Sequence, residues 1–339
     1  MKKVNWGIIG LGNVANKFAD SFKFSLNANL LGISSNSKDK LTKFSERFKI
    51  SKQYCFNNYE DILKCNEIDI TYIALPNSLH FNLIKKCINL KKNFLVENPA
   101  TINFEEIGEI YKKYKKEKFF FSEAFPYRYH PQIIKIIDLI KKNKIGKLIS
   151  MESFFGNDIL TSFSFFGFKI KKKIKKSSRL YNKELGGGAI LDLGCYPVSL
   201  STLIASLKSE FKKVNVVNKK KLIATTGVDI DSYAELIFDN GFTSKIGASF
   251  TKNLGRETKI TGSEGEIIIK DTWFSQIPYL ILKKSNIEKI KIDIDKDLYS
   301  HEIDFISKCI LDGKNEIQYP GLTLNDTVQN MKIIDEWIK

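Results

Sequence analysis

Gly10-Leu11-Gly12-Asn13-Val14-Ala15 is the stretch whose residue types and spacing carry the clearest chemistry. It is a GxGxxA run placed directly after an apolar strand-like segment, Val4 to Ile9, and directly before a helical one. Glycines in that position permit a tight turn and a close approach of backbone to a pyrophosphate. The helix that follows offers free N–H groups and a favourable dipole to the anion. The expectation is dinucleotide binding; the plain alternative is a structural glycine turn. About 20 residues further on, an NAD site would place an acidic residue on the ribose 2′-hydroxyl. Here the chain reads Ser34-Ser35-Asn36-Ser37-Lys38, with Lys40 close by. Hydroxyls, an amide and lysines suit a 2′-phosphate, so Ser35, Asn36 and Lys38 favour NADP(H), with NAD(H) possible.

A second group lies far along the chain. Asp192 and Tyr196 are four residues apart where a helix is expected to begin, so both can project from one face. They follow Gly186-Gly187-Gly188, which we read as giving backbone access that an ordinary core helix does not need. Just upstream, Lys169-Ile170-Lys171-Lys172-Lys173-Ile174-Lys175-Lys176 precedes Arg179. Such runs are usually solvated faces; in this place the run suggests attraction of an anionic substrate, such as a sugar phosphate or a nucleotide diphosphate.

The elements that must position these groups change character along the chain. Up to about residue 122, strand-like runs (Val4–Ile9, 30–34, 68–75, 93–96, 119–122) alternate with helical ones, which predicts an α/β Rossmann fold with a doubly wound parallel sheet. From residue 123 a helix at 131–142 leads to a strand at 148–155. After a long loop and a helix beyond Leu191, seven strand-like runs follow without helices between them. That half, 123–339, reads as an α+β domain with a mostly antiparallel open sheet, closed by helices near 300–311 and 322–337.

Composition narrows the function class. The chain has 339 residues, a net charge of +16 and 43% hydrophobic residues, which suits a folded protein of about two domains. Its basicity comes from lysine, with arginine only at Arg47, Arg128, Arg179 and Arg256. The arginine forks that favour base and phosphate reading are therefore scarce, and no nucleic-acid partner is expected. Five scattered cysteines form no CxxC pair, which fits a reducing compartment and no metal site. The apolar start of the chain is interrupted by Asn5, Gly7, Gly10, Gly12 and Asn13, and no run approaches ~18 consecutive apolar residues, so a cytoplasmic location without membrane association is expected.

Several further segments, taken together, resemble the Gfo/Idh/MocA oxidoreductases. They are Ala74-Leu75-Pro76-Asn77-Ser78-Leu79-His80, Glu97-Asn98-Pro99, Glu123-Ala124-Phe125-Pro126-Tyr127-Arg128, Gly186 to Pro197, and Thr261-Gly262-Ser263-Glu264-Gly265. The wording at Tyr127-Arg128 and at 192–196 is most similar to the branch containing dihydrodiol and xylose dehydrogenases and sugar ketoreductases. The resemblance implies hydride transfer between nicotinamide and a hydroxyl or ketone of a sugar or nucleotide sugar. It places Gly10, Gly12, Asn13, Val14, Ser35, Pro76, Asn77, His80 and Glu97 at the cofactor, and Tyr127, Arg128, Asp192 and Tyr196 at a substrate between the domains. It also implies a homodimer or homotetramer. Tyr196 becomes the acid/base residue, with Asp192 orienting the substrate.

One departure bears on the chemistry. Where the family has Glu-Lys-Pro, this chain has Asn98, and a neutral amide cannot supply the charge that favours removal of a hydroxyl proton. Three readings follow. In the first, the enzyme is mainly a reductase, with protonated Tyr196 as the acid and Asn98 bonding the reacting oxygen. In the second, another cation such as Arg128, Arg179 or a loop lysine replaces the lost charge. In the third, the chain is a catalytically weak or silent dinucleotide- and ligand-binding protein. A tightly held NAD used transiently, as in some family hydrolases, is a further enzyme alternative.

Overall fold

The strand β1 (Val4–Ile9) is a nearly unbroken apolar run, and almost every residue in it is buried. That is what a central strand covered on both faces requires. In the computed structural model it lies inside a six-stranded sheet with β2 (Ala28–Ser34), β3 (Cys55–Phe56), β4 (Ile70–Ile73), β5 (Asn93–Glu97) and β6 (Phe121–Ala124). Their order is β3-β2-β1-β4-β5-β6, all pairs parallel. This is the doubly wound arrangement, with a reversal of strand order between β1 and β4 where ligands bind at strand carboxyl ends. The helices α1 (Asn13–Ser21), α2 (Lys38–Phe48), α3 (Asp61–Lys64), α4 (His80–Asn89) and α5 (Phe104–Tyr114) connect the strands. The structure describes residues 2–114, 119–163 and 169–339, and at 162–163 and 169–171 the backbone alone.

The second sheet has eight strands. They are β7 (Leu148–Gly156), which follows α6 (Pro131–Lys141), then β10 (Val214–Ile223), β11 (Asp229–Phe238), β12 (Thr243–Ser249), β13 (Thr258–Gly262), β14 (Gly265–Ile269), β15 (Tyr279–Lys283) and β16 (Ile287–Lys291). A small hairpin, β8 (Thr161–Phe163) with β9 (Lys169–Lys171), stands apart. All neighbours in the large sheet are antiparallel except β7 and β12. The long β7 sits in the middle, between β12 and β13, so the strand that comes first in the chain is the one on which both halves of the sheet are built. Its helix α7 (Cys195–Lys208) is buried for most of its length. The segment Lys183–Lys208 is apolar and long enough to pass for a membrane span, but 78% of its most apolar window is buried in the fold.

The chain divides into two compact units that differ from a cut at 122/123. Unit 1 comprises residues 1–130 and 295–328, and unit 2 comprises 131–294 and 329–339. The reason is α8 (Leu298–Leu311): its Ile303, Ile306 and Cys309 join the core formed by Val4, Trp6, Ile8, Phe18 and Tyr72. Trp6 Nε1 donates to Ser307 Oγ at 2.9 Å inside that core. Periodicity reads α8 as a helix but is silent on which sheet its apolar face covers. The last helix, α9 (Leu324–Ile338), begins in unit 1 and ends in unit 2.

Candidate active site

In unit 1 the glycine turn is built as the sequence suggests. Gly10 has φ +90°, and a Cβ there would meet Ala74 O at 2.5 Å and Leu75 Cδ2 at 2.7 Å. Gly12 is the N-cap of α1 and has no side chain to satisfy the first N–H groups; a Cβ built on it would touch nothing within 4 Å. The first intrahelical bond runs from Asn16 N–H to Gly12 O, which leaves the N–H groups of residues 13–15 without an intrahelical partner. Asn13 and Val14 are exposed beside them. An uncapped helix start next to an open backbone fits a pyrophosphate.

At the end of β2, Ser35 is buried and its Oγ accepts from Ser37 N–H at 3.1 Å, while Ser37 Oγ caps α2. Asn36 and Lys38 are exposed. Asn36 lines a cleft of about 460 Å³ with Asn58, Lys64, Leu75, Leu79 and Lys86. Leu75 and Leu79 give it apolar walls, and Lys64 and Lys86 add charge that sequence reading had not placed there. Both lysines also have carboxylate neighbours, Lys64 with Asp61 at 3.3 Å and Lys86 with Glu60. The half-buried Pro76 and the buried Asn77 open the turn before α4. The ring of His80 lies between two backbone carbonyls, with Nδ1 3.0 Å from Pro99 O and Nε2 2.9 Å from Leu75 O. It ties the loop after β4 to the loop after β5.

Asn98 follows Glu97 at the end of β5. Its amide Nδ2 donates to Ala124 O at 2.7 Å and reaches Glu97 Oε2 at 3.5 Å. Both amide hydrogens therefore face protein oxygens. Glu97 Oε1 accepts the hydroxyl of Tyr72. Nearby Glu123, buried, accepts from Ala100 N–H and from the Thr327 hydroxyl, each at 2.9 Å, and burial pushes its carboxyl up to about 7. Tyr127 and Arg128 are buried in the turn after β6, where Arg128 Nε donates to Pro320 O at 2.8 Å.

Unit 2 carries Arg179, Asp192 and Tyr196. The helix leading into α7 opens with a wide π turn, Ile190–Gly194, which contains Asp192; such turns recur at functional sites. Arg179 Nη1 pairs with Asp192 Oδ1 at 2.7 Å. The three glycines play a different part from the backbone access expected of them. Gly186 and Gly188 have positive φ; a Cβ on Gly187 would strike the carbonyls of Arg179, Leu180 and Asn182, and one on Gly188 would strike Asp229 Oδ1. The run lets the loop pack on itself. Asp229 Oδ2 then accepts from Ile190 N–H at 2.8 Å and from Ser232 Oγ at 3.0 Å, anchoring the start of the helix that bears Asp192 and Tyr196. Asp229 opens a strand, and nothing in its local sequence signals this role.

The ring of Tyr196 is held by aromatic neighbours. Phe155 meets it edge-on at 5.3 Å and Trp273 at 5.7 Å, and Trp273 Nε1 is fixed on Phe154 O at 3.0 Å. Neither Phe155 nor Trp273 stands in a motif; the adjacent pairs Phe154-Phe155 and Trp273-Phe274 are the signal the sequence offers. Of the lysine run, Lys172, Lys173, Lys175 and Lys176 are exposed, Lys172 Nζ donates to Ile159 O at 3.3 Å, and Lys176 pairs loosely with Glu184 at 4.0 Å. The side chains of Lys169, Ile170 and Lys171 lie outside the described residues.

Comparison with known proteins agrees with the two-part fold. Residues 4–125 match an oxidoreductase family with an NAD-binding Rossmann fold, and residues 133–268 match the GFO/IDH/MocA C-terminal domain. The chain is 25% identical to a trans-1,2-dihydrobenzene-1,2-diol dehydrogenase of Xenopus tropicalis, over 98% of this chain and 96% of that one. It is 26% identical to a D-xylose 1-dehydrogenase (NADP(+)) of Hypocrea jecorina, over 99% and 91%. Among solved structures, aldose-aldose oxidoreductase from Caulobacter crescentus, complexed with glycerol, superposes with a TM-score of 0.82 at 20% identity, covering 99% of this chain and 96% of that one. A 3-ketoreductase from Actinomadura kijaniata, in complex with NADP and TDP-benzene, gives 0.81 at 19%, covering 98% and 96%.

Proposed function

The chain belongs to the Gfo/Idh/MocA oxidoreductase family, and from that premise we propose that it favours NADP(H) and moves hydride between nicotinamide and a hydroxyl or ketone of a sugar or nucleotide sugar, mainly as a reductase. The observation that carries the reading is the uncapped start of α1 at Gly12, open to an anion, with no carboxylate among Ser34 to Lys38 to grip a 2′-hydroxyl. The names of relatives support the substrate class: one acts on xylose with NADP, and one structural neighbour is a 3-ketoreductase. We place the enzyme in the cytoplasm as a homodimer or homotetramer with a small-molecule substrate, and with neither nucleic acid nor membrane as partner.

The residues divide the work. Gly10, Gly12, Asn13 and Val14 hold the pyrophosphate, Ser35, Asn36 and Lys38 the ribose end, and Pro76, Asn77, His80 and Glu97 line the cofactor. Bound NADPH supplies hydride from C4 of its nicotinamide. Tyr196 gives its phenolic proton to the oxygen of the carbonyl being reduced, Asp192 orients the substrate with Arg179 beside it, and Tyr127 and Arg128 complete its contacts. A phenol has an ordinary pKa of ~10, and each unit of lowering needs about 1.4 kcal/mol of differential stabilisation. Asn98 brings no charge for that purpose. A protonated Tyr196 is the form a reductase needs.

A second reading has its own support. The amide hydrogens of Asn98 are directed at Ala124 and Glu97, so a substrate oxygen must displace one of them, which favours a binding protein with slow or no turnover. Titration of the purified protein with NADPH and NADH, followed by single-turnover mixing with keto-sugars and sugar nucleotides, separates the two. Oxidation of bound NADPH by the wild type supports the reductase. Tight binding with turnover only in Asn98→Lys supports the quiet protein, and binding of neither nucleotide overturns the cofactor reading.

A further inference from the structure

Gly194 closes the wide turn that carries Asp192, and it has no room for a side chain. A Cβ there would meet Cζ3 of Trp337 at 2.7 Å, Cη2 of Trp337 at 3.2 Å and the Ala248 methyl of β12 at 3.4 Å. Its φ of −69° and ψ of −23° are ordinary helical values, so the backbone does not call for glycine; the neighbour does. The turn is gripped between the sheet and the far edge of an indole on α9, two residues before Tyr196. Trp337 is fully buried, yet its Nε1 finds no hydrogen-bond partner among the described residues. A buried indole N–H is normally paired and costs free energy when it is not. Phenylalanine would fill the core without that cost. What it lacks is the outer ring edge, the two atoms that stand against Gly194.

Two ties fix the height of that edge. At one, Thr202 of α7 donates its hydroxyl to Asn330 Oδ1 of α9 at 2.8 Å, inside the fold. At the other, Lys219 Nζ donates to Glu336 O at 3.0 Å and Lys221 Nζ to Ile338 O at 2.5 Å, so two lysines of β10 satisfy end carbonyls of α9 on either side of Trp337. A bulge aims these lysines. Val217 pairs with Glu235 and Lys220 with Tyr233, so Asn218, at φ +52°, and Lys219 together oppose one residue of β11. The extra residue turns the side chains after it to the other face. Lys219 and Lys221 thereby fall on the face where Val216 lines a cleft with Ile333 of α9.

We propose that Trp337 is a positioning residue for the proton donor: its ring edge, wedged on Gly194, holds the turn wide and so sets where Asp192 and Tyr196 present their side chains. All of these residues belong to unit 2. A close-packed interior passes a displacement on, and an error of about 1 Å in a reacting group costs up to ~100-fold in rate. This rests on Tyr196 as the acid and adds a residue that acts through Gly194 alone.

The test is a cycle of Trp337→Phe, Gly194→Ala and the double variant. Trp337→Phe removes the ring edge and Gly194→Ala forces it away. Each alone is expected to slow single-turnover oxidation of bound NADPH by a keto-sugar about 10- to 100-fold, with NADPH affinity and the keto-sugar concentration for half-maximal rate unchanged. In the double variant the new methyl fills the space that the ring edge leaves, and most of the rate returns. A second readout is independent of turnover: with 3-fluorotyrosine in place of Tyr196, the fluorine NMR resonance is expected to shift in each single variant and to return in the double. A full rate and an unmoved resonance in Trp337→Phe would overturn the proposal. So would a rate loss that tracks melting temperature and persists in the double variant, the mark of an ordinary core residue. If the wild type oxidises NADPH with no keto-sugar, the reading of Tyr196 as the acid falls, and the resonance alone decides whether the wedge sets its ring.

Discussion

The candidate cofactor edge of unit 1 and the Tyr196 region of unit 2 are made in different ways. In unit 1 the candidate surface is mostly backbone: a glycine at φ +90°, a helix start without a cap, and strand ends in a fixed order. In unit 2 it is mostly side chain: a tyrosine ring held by Phe155 and Trp273, a carboxylate paired with Arg179, and a buried aspartate on the helix start. Backbone sites tolerate many sequences, provided a few small residues stay small. Side-chain sites depend on contacts made far along the chain.

Three substitutions sharpen that contrast. The largest effect is expected from Tyr196→Phe, which keeps the ring among Phe155 and Trp273 and removes the proton. Single-turnover reduction should slow by ~100-fold to 10,000-fold, with unchanged nucleotide affinity and melting temperature; a full rate would move the acid elsewhere. Next is Asp229→Ala, which removes the acceptor of Ile190 N–H. Denaturant titration should show a loss of ~1–2 kcal/mol, together with slower turnover because the helix bearing Asp192 and Tyr196 loses its anchor. The smallest is Gly12→Ala. At φ −88° with empty space around the new methyl, the fold should be untouched. NADPH binding should nevertheless weaken by about tenfold, or ~1.4 kcal/mol, because the methyl occupies the approach of the pyrophosphate. Unaltered affinity would break the comparison at its simplest point.

The same contrast explains what the sequence made legible. The GxGxxA run, the β/α alternation and the strand-only stretch after residue 210 are local patterns with local causes, and the elements they predict are present. Lys38 is exposed, as a lysine awaiting a phosphate or an ordinary surface residue would equally be. Asp229 and Trp273 were not legible. Each acquires its role from a partner 39 or more residues away: Asp229 with Ile190, and Trp273 with Phe154. The glycine triplet was visible, but its use was not, since the same letters serve an approaching ligand or an approaching loop.

The return of α8 to unit 1 has a consequence for the birth of the molecule. Trp6 waits for Ser307, and the core that contains Val4, Phe18 and Tyr72 waits for Ile303 and Ile306. On a ribosome adding ~5–20 residues per second, the first strand stands without its covering helix for tens of seconds while unit 2 emerges. Premature termination anywhere before residue 300 leaves an oily sheet face bare, so truncated products of this chain should be recognised by chaperones and proteases far more readily than its point variants.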